Sequence, residues 1–288
     1  MTVFKAIGNG AGTASRRPLA LAVLWVTDLV FAVLIVAPWA ALVRADLGHS
    51  LLGRSLHALD FLWLGEAVYR YQSAAPALLA GWLVLLAVYF GLSVFLNGGV
   101  IGRLLDREGR TTFQTFFADC GRHFGRFVRL FLVSVVFYAL AFGTVLGLFS
   151  MVTARAAERA RTEWTPLGLS WARTLIALLL LSLLHMVFDY ARIFVVAEDE
   201  RRVLRALGKA LAFLGRRFFR AWALYLLVGA GLVAGAALYF AAAGLIPGSG
   251  LAWLGLGLVW GQAFVVFRFW TKMVFFSAQA EYALGERE

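Results

Sequence analysis

The sequence predicts an all-α fold: a polytopic membrane helix bundle of six transmembrane helices with amphipathic interfacial helices on the cytoplasmic side. Hydrophobic residues make up 62% of its 288 residues and charged residues only 15%, against about a quarter charged in soluble domains. The mean hydropathy is +0.81. The apolar stretches are continuous rather than alternating, which indicates helices and not a β-barrel, because lipid cannot hydrogen-bond an unpaired backbone.

Six stretches are long enough to span a bilayer core, which needs about 20 apolar residues. A turn at 245–250, Leu-Ile-Pro-Gly-Ser-Gly, is expected between the last two, although one long kinked helix is the alternative. Basic residues before the first stretch resemble the start of a signal peptide, but an apolar core of about 25 residues is too long for one, so we expect a retained helix. The predicted spans are 19–43, 76–96, 127–151, 169–192, 221–243 and 251–270.

The distribution of basic residues predicts the orientation. With six spans, 20 of the 27 Lys and Arg residues fall on the side that holds both termini. The positive-inside rule then places both termini in the cytoplasm. Because these residues cluster at the ends of spans, anionic lipid headgroups are the expected partners and nucleic acid is not. A protein partner or a second copy of the chain is a further expectation.

Two cytoplasmic loops share a pattern. The segments 103–129 and 192–220 each contain an acidic turn, an amphipathic stretch and a closing basic cluster, and a shift of 91 residues superposes them. A weaker third copy follows the sixth span at 271–282, so the chain reads as one membrane domain, 1–288, with repeats at 19–123, 127–216 and 221–288. The alternative is that any basic amphipathic loop looks alike. The clusters supply candidate lipid-binding or partner-binding residues: Arg126, Arg129, Arg216, Arg217 and Arg220.

The segment 198–217, "EDERRVLRALGKALAFLGRR", and its counterpart after the second span carry a resemblance. Pairs of spans each followed by such a segment resemble poorly characterised bacterial six-helix inner-membrane proteins, including the membrane domain attached to some glycerophosphodiester phosphodiesterases. The resemblance is architectural, covers most of the chain and includes no diagnostic motif. It implies an inner-membrane protein and carries over no catalytic activity, because no phosphodiesterase domain is present.

The fourth span ends on a polar face. Ser182, His185, Asp189 and Arg192 follow spacings of three, four and three, so they share one side of a helix. Asp189 and Arg192 can pair as neighbours, and Asp189 can alternatively pair with Arg268 of the sixth span.

Asp28 is the other deep ionisable residue. Carboxylates near mid-bilayer are costly and face bundle interiors, and Asp28 and His185 lie at similar depth. We therefore expect them to meet in the core. The alternative is a protonated Asp28 bonded to a backbone carbonyl and a separately packed His185.

The sequence offers little for catalysis. It has no phosphate-binding glycine loop and no HExxH, CxxC or GxSxG motif, so no cofactor is expected and we favour a protein that is not an enzyme. Side chains of Ser182, His185 and Asp189 on one straight helix cannot converge as a triad. Cys120 is the only cysteine, which excludes an intrachain disulfide. No metal site is predicted, and the nearest candidates are too dispersed: His49, His57 and Asp60.

Two classes of function remain. The bundle transports a small molecule or lipid, which needs a polar crevice that reaches mid-bilayer. Alternatively, it is a structural or assembly subunit, which predicts a dry core packed on glycines. Pairs of glycines four residues apart, such as Gly98 and Gly102 or Gly231 and Gly235, favour close helix packing.

Overall fold

The computed structural model describes residues 2–47, 69–106, 109, 111–158, 162, 164–246 and 250–285. All the regular secondary structure in these ranges is helical, which confirms the all-α prediction. Six of the described helices are long and apolar enough to cross a membrane, so the chain is a multi-pass membrane protein. The helices are α1 (Val3–Ser15), α2 (Pro18–Leu47), α3 (Ala75–Leu105), α4 (Phe113–Ala141), α5 (Gly147–Glu158), α6 (Trp164–Ala197), α7 (Val203–Ala243) and α8 (Leu251–Leu284).

Five of the six predicted spans each lie inside one of these helices, and most of those helices run further. The third span crosses α4 and α5, which are joined by a π-helical turn at Phe142–Leu146. In two places the predicted amphipathic segment is not a separate surface helix but the first part of a helix that continues into the next span. α4 begins at Phe113, fourteen residues before the predicted span at 127, and α7 begins at Val203. A capping box of Thr112 and Thr115 fixes the start of α4.

Buried side chains are confined to one half of the bundle, which we call the packed half. It includes residues 6–31, 96–104, 116–134, 186–195, 203–228 and 269–283. The rest of the described spans form the open half, in which no residue of 32–45, 69–95, 135–154, 164–185, 229–246 or 252–268 is buried. Both described chain ends, α1 and the end of α8, lie in the packed half, where Gly10 contacts Ala278.

Three helices, α3, α6 and α8, contact one another at the centre of the packed half. Each also packs along an amphipathic helix: α3 on the start of α4, α6 on the start of α7, and α8 on α1. Segment 271–282, predicted to be an interfacial copy, instead continues α8 to Leu284 and is mostly buried. The amphipathic partner of α8 is therefore α1, at the other end of the sequence.

Small residues allow these close approaches. A Cβ atom on Gly99 of α3 would lie 2.8 Å from the backbone oxygen of Phe116 in α4. One on Gly10 of α1 would lie 2.7 Å from the backbone nitrogen of Ala278. The predicted glycine contacts are formed at Gly98, Gly102 and Gly235, whereas nothing lies within 4 Å of a Cβ built on Gly231.

In the open half, neighbouring spans touch mainly in pairs. Trp82 of α3 donates a hydrogen bond to the backbone oxygen of Ile35 in α2 at 3.1 Å. Trp260 of α8 donates to the backbone oxygen of Tyr239 in α7 at 3.1 Å. The segment 47–64 is too apolar for a solvated loop and too interrupted for a span, which predicts an interfacial or re-entrant helix. From residue 48 onward it lies outside the described residues.

Candidate functional site

Asp28 lies in α2, ten residues or about 15 Å of helix beyond Pro18. The hydroxyl of Tyr89 in α3 donates a hydrogen bond to Asp28 Oδ1 at 2.9 Å. Arg268 Nη2 in α8 donates to the same oxygen at 3.3 Å. Asp28 thus links three spans. The expected pair of Asp28 with His185 is wrong, because the position of Asp28 on α2 turns its carboxylate toward α3 and α8 instead.

Asp189 lies in α6 and is 1% exposed. Arg192 Nη1, one turn further on, donates to Asp189 Oδ1 at 2.7 Å, as the spacing predicts. His185 Nε2 lies 3.5 Å from Asp189 Oδ2. The alternative pair of Asp189 with Arg268 is not formed, because Arg268 is engaged by Asp28. Ser182 Oγ donates to the backbone oxygen of Leu179 and takes no part in this cluster.

The two clusters both lie at the boundary between the packed half and the open half. Arg268 lies one turn before Lys272 on α8, and Arg268, Asp189 and Arg192 are all close enough to act on Lys272 electrostatically. Tyr138 of α4 lies near both Asp189 and Arg192. We call this set the ionic network: Asp28, Tyr89, Tyr138, His185, Asp189, Arg192, Tyr225, Arg268 and Lys272.

The predicted basic clusters divide into engaged and exposed residues. Arg126 Nη1 donates to Asp199 Oδ1 at 2.6 Å, and Arg122 Nη2 lies 3.3 Å from Asp199 Oδ2. The hydrogen bond from Arg126 holds the pKa of Asp199 below its usual value. Arg126 is therefore a structural link between α4 and the loop before α7.

The other members of these clusters remain candidates for headgroup contact. Arg129, Arg216 and Arg220 are exposed. Arg217 is partly buried, and its backbone at φ −139° and ψ 28° forms the kink where the amphipathic part of α7 meets its span. Exposed Phe219, beside Arg220, adds an apolar group that suits a membrane surface.

Sequence reasoning missed Arg17, which was counted only as a flanking charge. Arg17 is 8% exposed and donates to the backbone oxygens of Asp106 and Gly109 and to Thr111 Oγ1, the last at 3.0 Å. Three arginines occupy similar positions relative to the starts of the amphipathic helices. Arg17 and Arg217 each lie fourteen residues after the first residue of such a helix, and Arg126 lies thirteen residues after one.

A second missed contact is the ion pair between the central helix α3 and α4. Arg103 Nη2 lies 2.5 Å from Asp119 Oδ2, and both side chains are largely buried. A Cβ on Gly102 would lie 2.7 Å from the same Asp119 oxygen, so the glycine leaves the space that the carboxylate fills.

Metal binding finds no support. Across the ranges that the structure describes, no three His, Cys, Asp or Glu side chains come together as ligands. The histidines and aspartate considered from sequence, His49, His57 and Asp60, lie outside the described residues. Cys120 is buried against Gly99, which indicates a packing role.

Comparison with protein-family models, curated proteins and solved structures finds no match for this chain. The architectural resemblance to the membrane domain of glycerophosphodiester phosphodiesterases therefore stays a prediction.

Proposed function

We propose that this protein lies in the bacterial inner membrane with both termini in the cytoplasm, and that it binds and transports a small molecule or lipid through its ionic network. The support comes from ionisable side chains within spans. Of the Asp28–Arg268 pair, the Arg268 side chain is 48% exposed, and the His185 side chain is 50% exposed. Both lie in stretches that are otherwise apolar.

The cost of such exposure is the basis of the proposal. A charged side chain that faces hydrocarbon costs about 2.5–3.5 kcal/mol on insertion scales, so such residues usually face a bundle interior or a water-filled cavity and mark paths for substrates or ions. Arg268 is already paired on one side by Asp28, yet half of its surface is open. A polar molecule between the spans satisfies the open side.

The open half offers a lateral route to the network. None of its described residues is buried, so its spans touch neighbours along only part of their surface. Between α7 and α8 lies an apolar groove of about 160 Å³, lined by Gly235, Tyr239, Trp260, Phe264 and Phe267. Such a surface suits an acyl chain, which favours an amphiphile over a fully polar substrate.

Extraction directly into native nanodiscs, followed by mass spectrometry of the bound molecules, tests the proposal. Wild-type protein should retain a defined lipid or metabolite that the Arg268→Gln variant loses. Arg173→Gln is the matched control, because Arg173 is an exposed arginine near the start of α6 in the open half, and it should retain the molecule. Arg268→Lys, which keeps the charge, should retain it in part.

Two results would count against transport. If all variants carry the same bulk lipid composition, the network is structural. If the wild-type protein carries a stoichiometric second protein, it is an assembly subunit, a role that the glycine-packed core of α3 and α4 also suits. Where a molecule is found, reconstituted protein should speed its passage across a vesicle membrane.

A further inference from the structure

Lys272 is the cation of the ionic network that has no partner. It lies in α8, one turn beyond Arg268, and is partly buried. Among the residues that the structure describes, its ammonium group makes no hydrogen bond and no ion pair within 4 Å. Its charged neighbours are two arginines, Arg192 and Arg268, and one carboxylate, Asp189.

The charges of the network do not balance. Each carboxylate already has an arginine: Asp28 has Arg268 at 3.3 Å, and Asp189 has Arg192 at 2.7 Å. Lys272 is the third cation among two anions. A partly buried charge without a counter-charge is costly, and an anion from outside the chain is the direct way to remove that cost.

The two arginines near Lys272 keep free hydrogen-bond donors. Arg192 and Arg268 each use one described side-chain ion pair and keep further N–H groups. Two arginines and a lysine in one network suit a group with several acceptor oxygens, and lysine binds phosphate as a point charge.

The depth of Lys272 fits a lipid phosphate. The amphipathic helix α1 lies along α8 from Ala278, which Gly10 contacts, to Trp270, whose indole nitrogen donates to Ser15 Oγ at 3.1 Å. Lys272 lies within this stretch of α8 and is therefore at the level of α1. Because an amphipathic helix suits the membrane surface, a headgroup held at this level would lie at the inner leaflet, with its chains directed into the bilayer.

We infer that Lys272 binds the phosphate of the transported molecule, with Arg192 and Arg268 beside it, and that the molecule is a phosphate-bearing lipid. The inference rests on the proposed function and narrows its substrate class. It assigns Lys272 the role of recognising the headgroup, whereas the ion pairs of Asp28 and Asp189 hold the surrounding helices in place.

Native mass spectrometry of delipidated protein, titrated with defined probes, tests this assignment. Wild-type protein should bind phosphatidylglycerol at one site and bind diacylglycerol, which has the chains but no phosphate, at least about tenfold more weakly. Lys272→Met should weaken phosphatidylglycerol binding by a similar factor, and Lys272→Arg should restore most of it. Lys5→Met, which removes an exposed lysine of α1, is the control for net charge and should bind like the wild type.

The outcomes separate the two proposals. If wild-type protein binds no amphiphile at all, the proposed function fails. If it binds phosphatidylglycerol and diacylglycerol equally, or if Lys272→Met binds like Lys5→Met, an amphiphile site exists but Lys272 does not read its phosphate. If inorganic phosphate binds at this site and the protein shows no preference for phosphatidylglycerol, the ligand is a soluble anion and the lipid assignment is wrong. If Lys272→Met does not fold, titration of the wild-type protein with the two lipids and with inorganic phosphate still tests whether the site recognises a lipid phosphate.

Discussion

The packed and open halves of the bundle are built from the same six spans but are held together differently. In the packed half, α3, α6 and α8 meet at the centre, and each lies along an amphipathic helix with close backbone approaches at Gly99 and Gly10. In the open half, none of the described residues is buried. The difference shows which contacts hold helices together when lipid surrounds them.

Apolar surface alone cannot bring the spans of the open half together, because lipid tails are as apolar as leucine. Close packing of small residues and polar links between helices must supply the association. Both are concentrated in the packed half, which contains the Arg103–Asp119 and Arg126–Asp199 ion pairs. The open half therefore has fewer contacts that fix its spans to one another.

The largest effect that we predict is on the ion pair of the packed half. Asp189→Asn removes the buried carboxylate that pairs with Arg192, whose own side chain is 23% exposed, and we expect the free energy of unfolding to fall by about 3 kcal/mol. Asp28→Asn is the matched change at the edge of the open half. The Asp28 side chain is 23% exposed, and Tyr89 can still donate to the amide oxygen, so we expect a loss of about 1 kcal/mol.

Unfolding of both variants in mixed micelles, followed by circular dichroism, measures this difference. Equal losses, or a larger loss for Asp28→Asn, would contradict the distinction between a buried structural pair and an accessible one. Asp189→Glu, which keeps the charge, should lose less than Asp189→Asn.

The next effect concerns two glycines of one helix. Gly99→Ala places a methyl group against the backbone of Phe116 and the sulfur of Cys120, and we expect a loss of about 1–3 kcal/mol. Gly91→Ala, two turns away on α3, meets nothing within 4 Å and should be neutral or slightly stabilising. Thermal unfolding in one detergent compares them, and a neutral Gly99→Ala would show that α3 and α4 can separate freely.

The sequence was enough to predict the class, the six spans and the pairing of Asp189 with Arg192. These depend on apolar length and on spacing along one helix, which are local properties. The partner of Asp28 was predicted wrongly because it depends on the rotation of α2 about its axis and on which helices stand beside it. His185 was expected to be the partner of Asp28 only because the two residues lie at similar depth, whereas Arg268 was considered only as a partner of Asp189.

The role of α1 could not be predicted for a related reason. Its alanine and glycine positions, Ala6, Gly10 and Ala14, follow a spacing of four and form a buried seam. That spacing indicates a packing face but does not say which helix covers it. The covering helix is α8, in which Ala278 contacts Gly10 from 268 residues later in the sequence.

The smallest effect that we predict tests the repeat. If three equivalent units build the bundle, the pair of α8 and α1 is equivalent to the pair of α3 and α4 and to the pair of α6 and α7. The link between α3 and α4 has seven residues, 106–112, and the link between α6 and α7 has five, 198–202. Joining Glu288 to Met1 would link α8 to α1 through six residues, 285–288 and 1–2. A circular permutant opened between residues 108 and 109 keeps its new ends on the side of the membrane that held the old ones. Because loop closure depends weakly on length, its stability should stay within about 1 kcal/mol of wild type.

A permutant opened at Ser134, inside α4, is the control and should not accumulate as folded protein. Yield and thermal unfolding of the two permutants in detergent compare them directly. If both fail, the packing of α1 on α8 is not equivalent to the other two pairs, since a unit with the same geometry should accept the same short link. If only the control fails, the third unit is formed by the two ends of the chain, and its link is interchangeable with the links of the first two.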